Sequence, residues 1–136
     1  MGDEITVHMK MRATEGSYDD VVIVDMLPGG FEPVLKESAA TTESDADIEA
    51  VKGADVNGCG CPLWLIGWRP FNIDIREDRV VFYGAVSNTI TEFTYKIKAT
   101  NSGQFVVPPA YAESMYNRLL QARSLPSSLM VERVSQ

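Results

Sequence analysis

Histidine is nearly missing from this chain: His8 is the single one in 136 residues. A Ser–His or Cys–His couple needs an imidazole as its base, so little is left for nucleophilic catalysis. His8 stands between Val7 and Met9 on a strand pattern, where a surface histidine is the plain reading. Cysteine is scarce as well, Cys59 and Cys61 forming a lone CxC. A structural zinc site wants four ligands, and with one histidine and no second cysteine pair no metal is expected. Cys59 and Cys61 stand as a possible disulfide or as two inert thiols, oxidation being favoured if the parent is secreted. No apolar run approaches the ~20 residues that span a bilayer, so no membrane insertion by this chain is expected. Basic charge is in deficit, with 12 Lys and Arg against 19 Asp and Glu and a net charge of −7. That argues against a nucleic-acid partner, which needs clustered cations. Lys96 and Lys98, two apart on one strand face, read as a solvated face. The first residues, MGDEITV, lack a signal peptide's apolar stretch. A strand pattern begins almost at once, so a domain excised from a secreted protein would look the same.

Phosphate loops are also lacking. The segment LPGGFEP places Pro28, Gly29 and Gly30 after an apolar strand. It fits neither GxxxxGK[ST] nor GxGxxG. Glu32 repels phosphate and Pro33 has no amide to donate. The expectation is a corner between sheets, with Gly29 and Gly30 supplying positive φ. DADIEA, at residues 45–50, lacks the sixth-position glycine and the closing glutamate of a calcium loop. Many carboxylates are present, but nothing selects two that face each other across a cleft. No catalytic residue and no cofactor are expected, and the chain does not read as an enzyme.

Alternation is abundant. Ile5, Val7, Met9, Met11 and Ala13 share one face, with Thr6, His8, Lys10 and Arg12 on the other, as in a half-buried strand. Residues 21–27 are apolar on both faces apart from Asp25, and so read as central. Residues 71–76 and 79–86 flank a Glu77-Asp78 turn and predict a hairpin. Phe93, Tyr95, Ile97 and Ala99 alternate with Thr94, Lys96 and Lys98. Short strands follow at 104–107 and 129–134. Pro108-Pro109 before AYAESMYNRLL predicts one short helix near residues 109–118, a proline being well placed at a first helical position. Residues 37–60 are acidic, rich in small residues and aperiodic, which predicts a long mobile insertion. The whole predicts one domain over residues 1–136: an all-β, antiparallel β-sandwich of about seven or eight strands with one short helix.

The segment VVPPAYAESMYN holds Tyr111, Met115 and Tyr116 close together. On a helix Tyr111 and Met115 share a face. They either pack onto the sandwich or form an apolar knob for a partner, a place that Met and Tyr favour.

GDEITVHMKMRA, VVIVDMLPGGFE, IREDRVVFY, FTYKIKATNSGQFVVPPAYAESMYN and QARS, in this order and spacing, resemble the C-terminal macroglobulin-like domain of bacterial α2-macroglobulins. The resemblance covers residues 2–36 and 70–134, and leaves out the acidic insertion and CGCPLW. It implies a large periplasmic parent, often tethered to the inner membrane by a lipid at a distant N-terminus. A proteinase cuts a bait region there, and the molecule rearranges and traps it. Many members carry a Cys–Gln thioester in a separate helical domain. The resemblance implies that this domain packs on that neighbour through Tyr111, Met115 and Tyr116, with Met115 and Tyr116 matching the Met-Tyr pair that keeps water off the thioester. In members without the thioester the pair is interface packing. The implied partners are other domains of the parent chain and, through the parent, target proteinases. Bare residues leave two other readings. One is an Ig-like adhesion or carbohydrate-binding module stacking ligands on Trp64, Trp68 and Tyr83. The other is a small acidic hydrolase, which requires a cleft with a raised-pKa carboxylate.

Overall fold

The structure, a computed structural model, describes residues 2–34 and 66–133. The expected acidic insertion, Cys59, Cys61 and Trp64 lie outside the described residues. Among the described residues eleven strands follow one another: β1 (Glu4–Met11), β2 (Tyr18–Met26), β3 (Phe31–Pro33), β4 (Ile66–Gly67), β5 (Asn72–Ile75), β6 (Arg79–Val86), β7 (Thr91–Ala99), β8 (Gly103–Val107), β9 (Tyr111–Ser114), β10 (Gln121–Arg123) and β11 (Ser127–Val131). Pairings are antiparallel throughout. The sequence predicts fewer strands because β3, β4 and β10 are only two or three residues long, too short to show a period.

Two sheets face each other. In the first, β7 is central, with β1 along one edge and both β3 and β4 along the other. The second has the order β10-β9-β2-β6-β5, and β8 and β11 form a separate two-stranded ribbon. The alternation on β7 turns Phe93, Tyr95, Ile97 and Ala99 into the interior, where they meet Ile23 from β2 and Val80 and Phe82 from β6. The Phe82 ring lies 4.8 Å from Phe93 and 5.7 Å from Tyr95. Burying each such ring contributes about 1.5–3 kcal/mol. On the outer face of β1 and β7 the polar residues pair: Lys96 Nζ sits 2.9 Å from Glu4 Oε2, and His8 Nδ1 3.3 Å from Glu92 Oε1.

Pro28–Gly30 is the corner that carries the chain from β2 in one sheet to β3 in the other. The Phe31 amide donates to the Pro28 carbonyl (3.2 Å), and the Gly30 carbonyl accepts from the Thr100 amide (2.8 Å) and hydroxyl (2.9 Å). Gly30 has φ +85°, but Gly29 does not adopt positive φ. One left-handed residue suffices to turn this corner.

β3 and β4 share one edge of β7. The Val34 amide donates to the Lys96 carbonyl (2.9 Å) as the chain leaves, and Ile66 returns opposite Thr94. β3 and β4 therefore lie in line along the same edge of β7.

The short helix expected near residues 109–118 does not form; among the described residues there is no helix. Residues 111–114 are strand β9 instead. β2 is central and offers its backbone at Val21–Val24, and β9 takes that edge, Val21 opposite Ser114 and Val24 opposite Tyr111. A helix of this length is marginal by itself, and forming it would leave those groups on β2 without strand partners.

Candidate functional site

β9 and β10 form a hairpin at the end of the five-stranded sheet, with Glu113 opposite Gln121 and Tyr111 opposite Arg123. The turn between them is held from its polar side. The Ser114 amide donates to the Leu120 carbonyl (3.1 Å), the Leu120 amide to the Asn117 carbonyl (3.1 Å), and the Met115 amide to the Asp20 carbonyl (2.9 Å). Asn117 Oδ1 accepts from the Leu119 amide (3.1 Å), and Gln121 Nε2 donates to the Arg118 carbonyl (2.9 Å). With the backbone satisfied in this way, the apolar side chains are left outside. Met115 is 41% exposed, Tyr116 82% and Leu119 92%. The tip thus carries three large apolar groups at the end of a braced turn, off the core.

Tyr111 does not belong to that tip. It stands at the far end of β9, four residues and about 13 Å of extended chain from Met115, so the shared helical face expected for the two does not exist. Its hydroxyl donates to Glu113 Oε2 (2.6 Å), and the Arg123 guanidinium carbon lies 5.2 Å from its ring centroid. The bond to Glu113, with partial desolvation, holds the phenol above its ordinary pKa. Tyr111 thus ties the hairpin together. Leu119 is not foreseen from the sequence; the signal for the turn that carries it is Asn117, whose side chain bonds the backbone two residues on.

The features needed by other chemistries sit elsewhere. Trp68 is half-buried. Its ring lies 5.2 Å from Phe93, its Nε1 donates to the Ala85 carbonyl (2.8 Å), and its edge covers Gly84, where a Cβ would come within 2.3 Å of the ring. Trp68 is therefore a packing residue rather than an open stacking face. Asp25 is the carboxylate whose pKa burial raises most plainly, and it is only 8% exposed, inside the core, where the Tyr95 hydroxyl donates to it. It faces no cleft. Among the described residues no three His, Cys, Asp or Glu side chains converge as metal ligands.

A family model, the bacterial alpha-2-macroglobulin MG10 domain, matches residues 1–118. An alpha-2-macroglobulin homolog of Yersinia pestis is 44% identical over 128 residues, spanning 92% of this chain and 6% of that protein. Alpha-2-macroglobulin of Pasteurella multocida is 32% identical over 124 residues, spanning 91% of this chain and 5% of its own length. The chain is thus a small part of the length of the relatives it matches. Among solved structures, Escherichia coli alpha-2-macroglobulin activated by porcine elastase superposes with a TM-score of 0.68 at 26% identity, over 97% of this chain and 11% of that one. The native E. coli protein from domain MG7 to its C-terminus gives 0.64 at 25% identity, over 96% of this chain and 19% of that one.

Proposed function

This chain belongs to the bacterial alpha-2-macroglobulin family as a macroglobulin-like domain, and from that membership we propose that it helps to hold the latent state of a proteinase-trapping parent. The observation that carries the reading is the β9–β10 tip, where Met115 and Tyr116 stand off the core on a braced turn. Exposed large apolar groups held in a fixed place suit a contact that excludes water. In the parent this contact is with a neighbouring helical domain, and Met115 and Tyr116 cover its thioester. A thioether and a phenol ring keep water from that bond without attacking it. Proteinase cleavage elsewhere in the parent breaks the contact, and the bond is exposed on demand.

The domain itself is not an enzyme in this reading; its partners are the parent's other domains and, through the parent, the trapped proteinase. Elastase activation of the E. coli relative supports that partner class. A matching domain within the E. coli fragment that runs from MG7 to the C-terminus supports a place in the C-terminal part of the parent. In this reading, which follows the resemblance alone, the parent lies in the periplasm, anchored to the inner membrane by a lipid.

Intact mass of the full-length parent before and after methylamine tests the reading. A gain of one amine is expected. No gain in a parent whose upstream Cys–Gln pair is intact and unreacted overturns the shielding role of Met115 and Tyr116.

A further inference from the structure

One register runs through two pieces of this structure. Tyr111 stands opposite Arg123 in β9–β10, and Val107 opposite Ser127 in β8–β11. Residues 108–110 and 124–126 link these pairs, equal in number on the two sides, so no residue is gained or lost between them. The link is paired where it leaves β9, the Ser124 amide donating to the Ala110 carbonyl (2.9 Å). β8–β9 and β10–β11 are therefore the two arms of one long hairpin over residues 103–131, closed by the Met115–Tyr116 tip.

An antiparallel ladder places its bonds at every second pair. The Ser114 amide donates to the Leu120 carbonyl, as Ser124 does to Ala110. The bonding pairs are thus Ser114–Leu120, Ala112–Ala122, Ala110–Ser124 and, next in line, Pro108–Pro126. Proline has no amide to donate, and here both members of a bonding pair are proline. Both bonds due at that step are missing. The pair before it is already altered, since the Ala110 amide donates to Ser124 Oγ (2.8 Å). The two ends of the hairpin are also held differently. β9 is zipped to β2 over Val21–Val24. Among the described residues β8 and β11 pair only with each other, and Phe105, Leu129 and Val131 on one face of the ribbon fasten it to the core by packing.

We propose that the Pro108–Pro126 step is a built-in break in the hairpin, which lets the β8–β11 ribbon open from the sandwich as a unit while the β9–β10 end, with its tip, stays zipped to β2. Opening the ribbon costs its own packing and its own ladder, because no backbone bond joins Pro108 to Pro126 and pulls β9–β10 along. Units that open separately in this way divide where few bonds cross. The break holds the tip in place when the ribbon moves. The inference rests on register and amide donors, and it stands whether or not the tip shields a thioester.

The test is amide hydrogen exchange of the full-length parent, resolved to single residues by fragmenting its peptides in the mass spectrometer. Relative to their intrinsic rates, the amides of Gln104, Val106, Ser128 and Met130 should exchange about tenfold or more faster than those of Ala112, Ser114 and Ala122. A hairpin that is bent at the prolines but opens as one unit gives equal protection at both ends, and that result overturns the proposal. The double variant Pro108→Ala, Pro126→Ala restores both amides at the step and should narrow the gap to about threefold or less. Pro126→Ala alone restores one amide and should narrow it part of the way. Each comparison is made within one molecule, so a change in overall stability cancels. A gap that persists in both variants means that weak packing of the ribbon sets its opening, and overturns the role given to the prolines.

Discussion

The Tyr95 hydroxyl donates a hydrogen bond to Asp25 Oδ2 across the interior of the sandwich, and so joins the central strand of one sheet, β7, to the central strand of the other, β2. Burial raises the Asp25 pKa above its ordinary value, and the bond from Tyr95 pulls it part of the way back. Burial and the neighbouring carboxylate push the Tyr95 phenol far up, so it stays a donor at every working pH.

Asp25 therefore binds its proton more tightly in the folded state than in the unfolded one. Its contribution to stability is fully present below the ordinary carboxylate pKa and is lost as pH rises through the raised, folded value. Asp25→Asn keeps an acceptor for Tyr95 and removes the charge, so it should flatten stability between acid and neutral pH. Tyr95→Phe removes the contribution that lowers the Asp25 pKa, and should cost about 1.5–3 kcal/mol at neutral pH and less in acid. Urea midpoints across pH check both. An unchanged pH slope in Asp25→Asn would show that Asp25 is not the source.

The LPGGFE corner yields a sharper contrast. At Gly30, with φ +85°, a Cβ would lie 2.8 Å from Phe105 Cζ and 2.9 Å from Cε1, while at Gly29 nothing lies within 4 Å. Phe105 cannot easily yield, since its ring packs edge-on against Phe31 with centroids 5.7 Å apart. Gly30→Ala should cost about 2 kcal/mol or more, combining the left-handed penalty with the clash. Gly29→Ala should stay within about 0.5 kcal/mol of the parent sequence. Thermal unfolding of the two variants side by side decides it, and equal losses would contradict the assigned roles.

How far the sequence foretold these features depends on the range of the interaction. The alternation of Phe93, Tyr95, Ile97 and Ala99 is local, and it placed β7 correctly. The two-sided apolar run around Ile23 marked β2 as central and made Asp25 conspicuous. Its partner Tyr95, 70 residues away, left no sign, because nothing local encodes which strands face each other. The helix expected near residues 109–118 fails for the same reason: its proline and composition are local signals, while the edge of β2 that overrides them is not. Met115 and Tyr116 were picked out by composition and resemblance, and their exposure came only from the turn built on Asn117.

β3 and β4 lie in line along the same side of β7, with Pro33 opposite Ile97 and Ile66 opposite Thr94, and residues 35–65 join them in sequence. Replacing those residues by a short Gly-Ser linker should leave the sandwich intact. A roughly tenfold shorter loop lowers closure entropy by about 2 kcal/mol at most, so stability should hold or rise slightly. Far-UV circular dichroism and a urea melt of the excised variant measure this. A large loss would mean that the segment contributes to the core.

Tyr116 and Tyr111 separate the two jobs of the hairpin. Tyr116 is 82% exposed at the tip, so Tyr116→Ala should change the stability of this domain by no more than about 0.5 kcal/mol. In the full-length parent the same change should shorten the lifetime of the latent, methylamine-reactive form. Tyr111 anchors Glu113 and lies under Arg123. Tyr111→Ala should therefore destabilise the hairpin by about 1–2 kcal/mol, through a lost hydrogen bond and a lost cation–π contact. It should affect the latent form only as far as the fold is weakened. Following methylamine incorporation over time in both variants, beside their melting curves, distinguishes the roles. If latent decay is unchanged in Tyr116→Ala, the tip is packing and not a shield. If Tyr111→Ala speeds decay without any loss of stability, the contact surface extends down β9 and the division drawn between the two ends of the hairpin is wrong.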